Sequence, residues 1–314
     1  MFGKRGTRTL LIVLAALPVI YFLSSVRSTR ARERSFKEYV MQLDTAMVKR
    51  VEFQPRRTKP DPMQLDRTGT DWTVTHKGIT ARADNGTVRS LLEKFVAMRT
   101  VRVSGMMDKM KDGAELNDSL AIPITFTLDD GTTQELLVGR NSNSPDGRDF
   151  WTQVNIPGEK EIYAVSAVLT GQLDQEMSAW RVRTLVKGDP TSWQRLSFTY
   201  PADSGYVLQR NGAEWLVDEM PADSAKVNKY LKSLALSRVQ QFADTVNVSS
   251  LAPMHQLRID DSASPEPIVV QVYAWGNGYV VTSTLNPGGV MHFDAFREMP
   301  RLFRPRHAWF VTGP

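Results

Sequence analysis

Apolar and polar residues alternate from Met63 to Val74, and the alternation returns from Tyr206 to Val217 with its landmarks in the same order. Leu65, Arg67, Gly69, Asp71, Trp72 and Val74 are matched by Leu208, Arg210, Gly212, Glu214, Trp215 and Val217. A two-residue period broken by Thr-Gly-Thr in one copy and Asn-Gly in the other predicts a β-hairpin whose second strand carries the Trp. The period then changes. Val88, Leu91, Leu92 and Phe95 fall at i, i+3, i+4 and i+7, as do Val227, Tyr230, Leu231 and Leu234, so an amphipathic helix is expected after each hairpin. Asp84 and Asp223 stand at the N-cap positions, where a carboxylate accepts from the first unpaired backbone N–H groups. Because Ala83, Asp84, Val88 and Leu92 answer to Ala222, Asp223, Val227 and Leu231, the chain reads as a tandem duplication. Trp72 and Trp215, each facing such a helix, are expected in the core; a ligand-stacking platform is the sharper alternative.

Short strands at Arg50 to Phe53 and Arg195 to Phe198 lead into the two copies, and Val101 to Val103 is expected as a strand after the first helix. Ile124 to Leu128 and Gln134 to Val138 flank Asp129-Asp130-Gly131, while Phe150 to Val154 and Glu161 to Ala164 flank Pro157-Gly158, so two further hairpins are expected. The first copy should end in a helix from Val165 to Met177 before Ala179-Trp180. The second continues through His255 to Ile259, Ile268 to Tyr273 and Tyr279 to Leu285, and closes over Phe293 to Trp309. The expected class is α+β: two tandem, duplicated αβ domains, residues 49–187 and 188–314, with mostly antiparallel sheets.

Ahead of them lies an uncharged, mostly apolar run of 17 residues, Leu10 to Val26, with basic residues on both sides. That is the short end of the length needed to cross a bilayer. A signal peptide competes with this reading, but the run ends in Ser-Ser-Val-Arg without a small-x-small cleavage site. Residues 1–34 are therefore expected to be a membrane anchor. Phe36, Tyr39, Val40, Leu43 and Met47 keep helical spacing, which predicts an amphipathic stalk over 35–48 whose apolar face docks on the chain's own body or on a membrane partner.

Charge sharpens the picture. The formal net charge is +5, yet residues 1–40 hold eight Lys/Arg against Glu33 and Glu38, which leaves 31 basic against 32 acidic residues in the remainder. Basicity confined to the anchor region speaks for a membrane surface and against nucleic acid. With no cysteine, disulfides, thiolate metal sites and thiol catalysis are excluded.

Candidate chemistry is sparse. Nucleotide-loop, zinc-peptidase and nucleophile-elbow motifs are absent from the sequence. His76, His255, His292 and His307 are scattered one to a segment. The pairs Asp129/Asp130 and Asp260/Asp261 sit at hairpin loops, where Asp serves turn geometry. Met106, Met107 and Met110 carry soft sulfur, but a loose trio without His or Cys reads as apolar contact. The loop from Asn141 to Asp149 holds Asp146 and Asp149 without the alternating ligands or closing Glu of a calcium loop. The sequence thus yields no catalytic, cofactor-binding or metal-ligating residue, and it reads as a scaffold or binding module. The alternative is a cell-envelope hydrolase or carbohydrate-binding protein using dispersed carboxylates.

The order of membrane helix, strand pair ending L-x-R-x-G-x-[DE]-W-x-V, Asp-capped helix and strand-rich segment closing in Ala-Trp resembles the bacterial domain-of-unknown-function family 4340. The likeness spans most of residues 45–314 and is clearest at Leu65 to Val101, Leu136 to Gly139 and Leu208 to Val239. At Asn117-Asp118-Ser119 and Met254-His255 the chain departs from the family's more Gly-, Leu- and Pro-rich pattern. The resemblance implies a single-pass protein of the cytoplasmic membrane, its globular part outside, accompanying an ABC-type export or gliding-motility transport system. It brings no catalytic residues to carry over.

Overall fold

Both sequence copies fold as the alternation predicts. The computed structural model describes residues 37–143 and 147–310; the expected anchor at Leu10 to Val26 lies outside them. The first sheet holds β1 (Tyr39–Met41), β2 (Val48–Phe53), β3 (Met63–Thr68), β4 (Asp71–His76), β5 (Ile79–Arg82), β6 (Met98–Met106), β7 (Ile122–Leu128), β8 (Thr133–Asn143), β9 (Phe150–Asn155) and β10 (Glu161–Val165). The second holds β11 (Trp193–Thr199), β12 (Tyr206–Asn211), β13 (Glu214–Val217), β14 (Met220–Pro221), β15 (His255–Asp261), β16 (Ile268–Trp275), β17 (Gly278–Ser283) and β18 (Met291–Phe293). Among the described residues helices are few and short: α1 (Asn85–Leu92), α2 (Met107–Met110), α3 (Thr170–Leu173), α4 (Met177–Trp180), α5 (Ser224–Leu234) and α6 (Ala295–Leu302). The protein is therefore mostly β, with two antiparallel sheets, where the sequence suggested a fuller helical share. Among the described residues no helix is long and apolar enough to cross a membrane.

The two sheets share much of their strand order. Read from β5, the first sheet runs β5-β4-β3-β2-β7-β8-β9-β10, then β6 and β1; read from β14, the second runs β14-β13-β12-β11-β15-β16-β17-β18. Corresponding strands thus occupy corresponding places, and β6 and β1 are additions of the first sheet. Local geometry agrees. Gly69 and Gly212 both turn at φ 61°, a left-handed conformation that glycine adopts without a Cβ penalty. Arg67 and Arg210 each donate from Nε to the carbonyl of that glycine, at 3.0 and 3.1 Å. The Ala83 and Ala222 amides donate to Trp72 and Trp215, and the Asp84 and Asp223 amides to Trp180 and Trp309, at 2.7 to 2.8 Å.

The caps form as expected. Asp223 accepts from the Ala225 and Lys226 amides at the start of α5, and Asp84 accepts from the Thr87 amide at 2.8 Å at the start of α1. Val88, Leu91, Leu92 and Phe95 are all buried, although α1 stops at Leu92 and a 3-10 turn carries Phe95 inward against Phe126, ring centroids 4.7 Å apart. Trp72 and Trp215 are core residues, 6% and 4% exposed, and so do not serve as platforms.

Two helical expectations fail. The stalk over 35–48 is not a helix in its described part: Tyr39–Met41 pairs with β6, Tyr39 opposite Arg99 and Met41 opposite Met98, and a turn leads to β2. Five apolar residues at helical spacing are a weak signal over one short window, and an open strand edge on β6 offers backbone partners that an isolated turn of helix lacks. Val40, Met41 and Leu43 are buried, and the Leu43 amide donates to Phe95 at 3.0 Å, so they form no free docking face. The helix expected from Val165 to Met177 also breaks up. Val165 is taken by β10, opposite Thr152, and only the single-turn helices α3 and α4 form after it.

By its contacts the described chain divides into two compact units, residues up to Gln64 with Arg89–Gln175, and Leu65–Val88 with the chain from Glu176 onward. In the second unit Trp193, Trp309, Tyr230, Leu208, Leu257 and Val270 are among the residues of one core. Leu185 and Val186, ahead of β11, are fully buried in it.

Candidate functional site

Most polar groups singled out in the sequence turn out to hold loops. Asp130 accepts from the Thr132 hydroxyl and amide, and those bonds hold its carboxyl below the usual range. Asp260 pairs with Arg258 at 2.9 Å, and Asp261 accepts from the Ala263 amide. Burial would raise Glu159, but hydrogen bonds from Lys37 and Tyr163 outweigh it and hold the carboxylate low. His255 lies edge-on to Tyr200, centroids 5.6 Å apart, and beside Phe303, while the His292 amide donates to Gln241. Among the described residues no three His, Cys, Asp or Glu groups come together as a metal site. Asp146 lies outside the described residues.

Among the described residues, two places gather polar side chains around a small hollow. The first, in the second unit, centres on Arg181. Its side chain is 5% exposed, lies over Phe242 with the guanidinium carbon 3.5 Å from the ring centroid, and reaches both Asp244 oxygens from one nitrogen at 2.7 and 2.8 Å. A hollow of about 210 Å³ opens beside it, lined also by Arg82, Asn286 and Gly289. A guanidinium neutralised by its own carboxylate fixes the segment from Phe242 to Asp244 in place. Asn286 is spent likewise, donating to the Val182 carbonyl at 2.7 Å.

The second lies in the first unit, on the sheet face made by β6, β10, β9 and β8. The chain after β6 folds back over this face as α2 and the turn behind it, and Ala114, Leu116 and Ile162 form a small core beneath, with Met107 and Leu137 against it. Two glycines admit this cover. A Cβ on Gly139 would lie 2.2 Å from the Ala114 carbonyl oxygen, and one on Gly105 would lie 2.3 Å from the Met110 sulfur. The Arg140 amide donates to that same Ala114 carbonyl at 2.9 Å. Of the methionine trio, Met107 and Met110 thus pack the cover, which suits a flexible thioether.

Between cover and sheet is a hollow of about 220 Å³. Arg102 and Arg140 stand at its exposed rim, and Arg102 lies over the Trp151 ring at 4.7 Å. Ser104 and Gln153 line it from within; Gln153 is 6% exposed. The Gln153 amide nitrogen donates weakly to the Ser142 hydroxyl at 3.3 Å, while its Oε1 and the Ser104 hydroxyl are buried with no hydrogen-bond partner. Sequence reasoning passed over all of these residues, because strands that meet only through the β6-β10-β9-β8 order leave no motif along the chain.

The class defined by this architecture is a two-sheet, mostly antiparallel β protein with a small basic hollow. Residues 115–256 match the family model described as Domain of unknown function (DUF4340), so the chain carries a DUF4340 domain there. The matched stretch begins just ahead of β7 and ends inside β15. No curated protein matches the chain, and no solved structure does.

Proposed function

We propose that this is a membrane-anchored, non-catalytic binding protein, its duplicated β body outside the cytoplasmic membrane, acting as an accessory subunit beside an ABC-type transporter. The observation that carries the reading is the join of a 17-residue apolar run, Leu10 to Val26, to a body whose sequence-predicted acidic groups are engaged in caps, turns and ion pairs. An uncharged apolar run of this length with basic flanks is suited to tether the body that follows it to a membrane. The transporter itself rests on the family likeness. A hydrolase would need two carboxylates facing across a cleft; Asp129/Asp130 lie on a turn and Asp260/Asp261 end strand β15, with Asp260 paired to Arg258.

Two measurements test the proposal in order. Protease added to spheroplasts should degrade the body from outside, and full protection would reverse the topology. Photo-cross-linking in intact membranes, followed by identification of the captured chains, should return membrane components of a transporter; recovery of the protein alone under all conditions would remove the accessory role.

A further inference from the structure

We propose that the hollow under α2 is a binding site for a small oxyanion, a carboxylate or phosphate group, which enters between Arg102 and Arg140 and ends on Ser104 and Gln153. Arginine is the side chain best matched to planar or tetrahedral oxyanions, because its fork of N–H donors meets two oxygens at once. Among the described residues, neither of these two guanidinium groups is taken up by a hydrogen bond or an ion pair, and Arg102 is steadied by the Trp151 ring. Exposed arginines alone would mean little. What makes this a built site is its floor, where the buried Ser104 hydroxyl lacks a partner and Gln153, 94% removed from solvent, has one end of its amide without a partner in the same hollow. Buried polar groups are normally satisfied, and each orphan asks for a missing partner. The two ends of the Gln153 amide are interchangeable by rotation: if Oε1 accepts from the Ser142 hydroxyl, the NH2 group faces inward and, with the Ser104 hydroxyl, gives the floor two donor groups. A volume of about 220 Å³ is below the roughly 300 Å³ at which drug-sized pockets begin, so the ligand is small. Met110 and Ile162 supply an apolar wall for a short carbon chain. This assignment stands whether or not the chain partners a transporter.

The test is calorimetric titration of the full chain in detergent, at low salt, with succinate and with inorganic phosphate as probes. Binding of one probe with a Kd below about 1 mM supports the site and chooses between the two oxyanions. Arg102→Gln and Arg140→Gln, both at exposed positions, should each weaken it roughly ten-fold or more, the loss expected for a hydrogen bond to a charged group. Arg99→Gln, on the same strand but engaged with Tyr39 and Glu38, should leave the affinity unchanged. Gln153→Leu should abolish binding with the far-ultraviolet circular dichroism intact; should that variant not fold, the two arginine variants decide. Binding that survives both arginine changes, or that Arg99→Gln weakens equally, would show general attraction of anions and overturn the site. No heat with either probe at millimolar concentration would overturn it too, leaving the hollow to water.

Discussion

At the scale of single residues, three side chains set sharp conditions. Gly139 lies where the cover touches β8 most closely, and since the atom a Cβ would strike is a backbone carbonyl, the cover must lift to make room. Gly139→Ala is expected to cost about 1–3 kcal/mol, read as a lowered urea midpoint, and an unchanged midpoint would show that the cover is loose. Tyr206 holds a buried junction: its hydroxyl accepts from the Trp309 indole at 2.9 Å and donates to the Arg304 carbonyl. Tyr206→Phe keeps the ring stacked on Phe198 but strands a buried N–H, a loss of about 1–3 kcal/mol. His255 is expected to contribute to the pH dependence of stability. Burial lowers its pKa from the usual 6.5, and its Nδ1 is buried without a partner. The unfolded chain then binds the proton more readily than the folded one, so the stability linked to His255 is complete above about pH 6.5 and is lost as pH falls through the lower, folded value. His255→Phe should flatten the stability curve between about pH 7 and pH 5; an equally steep decline would assign it to other groups.

At the scale of elements, the N-caps give matched experiments. Asp84→Ala and Asp223→Ala each remove a carboxylate that accepts from the first turn of a helix, and each should cost about 1 kcal/mol. An effect on one alone would mean that the two copies depend on their caps differently. These elements were legible in the chain because their signals are local: alternation, a turn glycine, a Trp, then Asp and an i, i+3, i+4 face. The stalk was not, since Tyr39, Val40, Leu43 and Met47 suit a helix by spacing alone. Pairing with β6, whose nearest residue is 57 positions away from Met41, decided the matter. The oxyanion hollow was hidden for the same reason. Ser104, Arg140 and Gln153 come from three strands that only sheet order brings together, and the one faint cue was a glycine inside each of β6 and β8, where close backbone approach is a known use of glycine.

At the scale of the molecule, the question is where the second body begins. Halves drawn from sequence divide at Lys187, between the closing Ala-Trp of the first copy and the first strand of the second. The segment from Arg181 to Val186 nevertheless works for the chain that comes after it. Leu185 and Val186 are fully buried in the core with Trp193 and Trp309. The Leu185 amide donates to Ser237 at 2.9 Å, the Arg183 carbonyl accepts from Val239, and the Leu185 carbonyl accepts from the buried Ser283 hydroxyl at 2.6 Å. Arg181 adds its pairing with Asp244, and the Val182 carbonyl takes the Asn286 amide. A fragment starting at residue 188 would lose all of this and leave the Ser283 and Asn286 side chains without these partners; one starting at residue 176 would keep it. Burying a Leu and a Val is by itself worth about 3 kcal/mol or more, a large part of a domain's net stability. Both fragments lack Leu65–Val88 of the same compact unit, and of the two, fragment 176–314 is expected to melt at the higher temperature, or to fold where fragment 188–314 does not. Equal midpoints by calorimetry would show that residues 181–187 are a linker despite their burial.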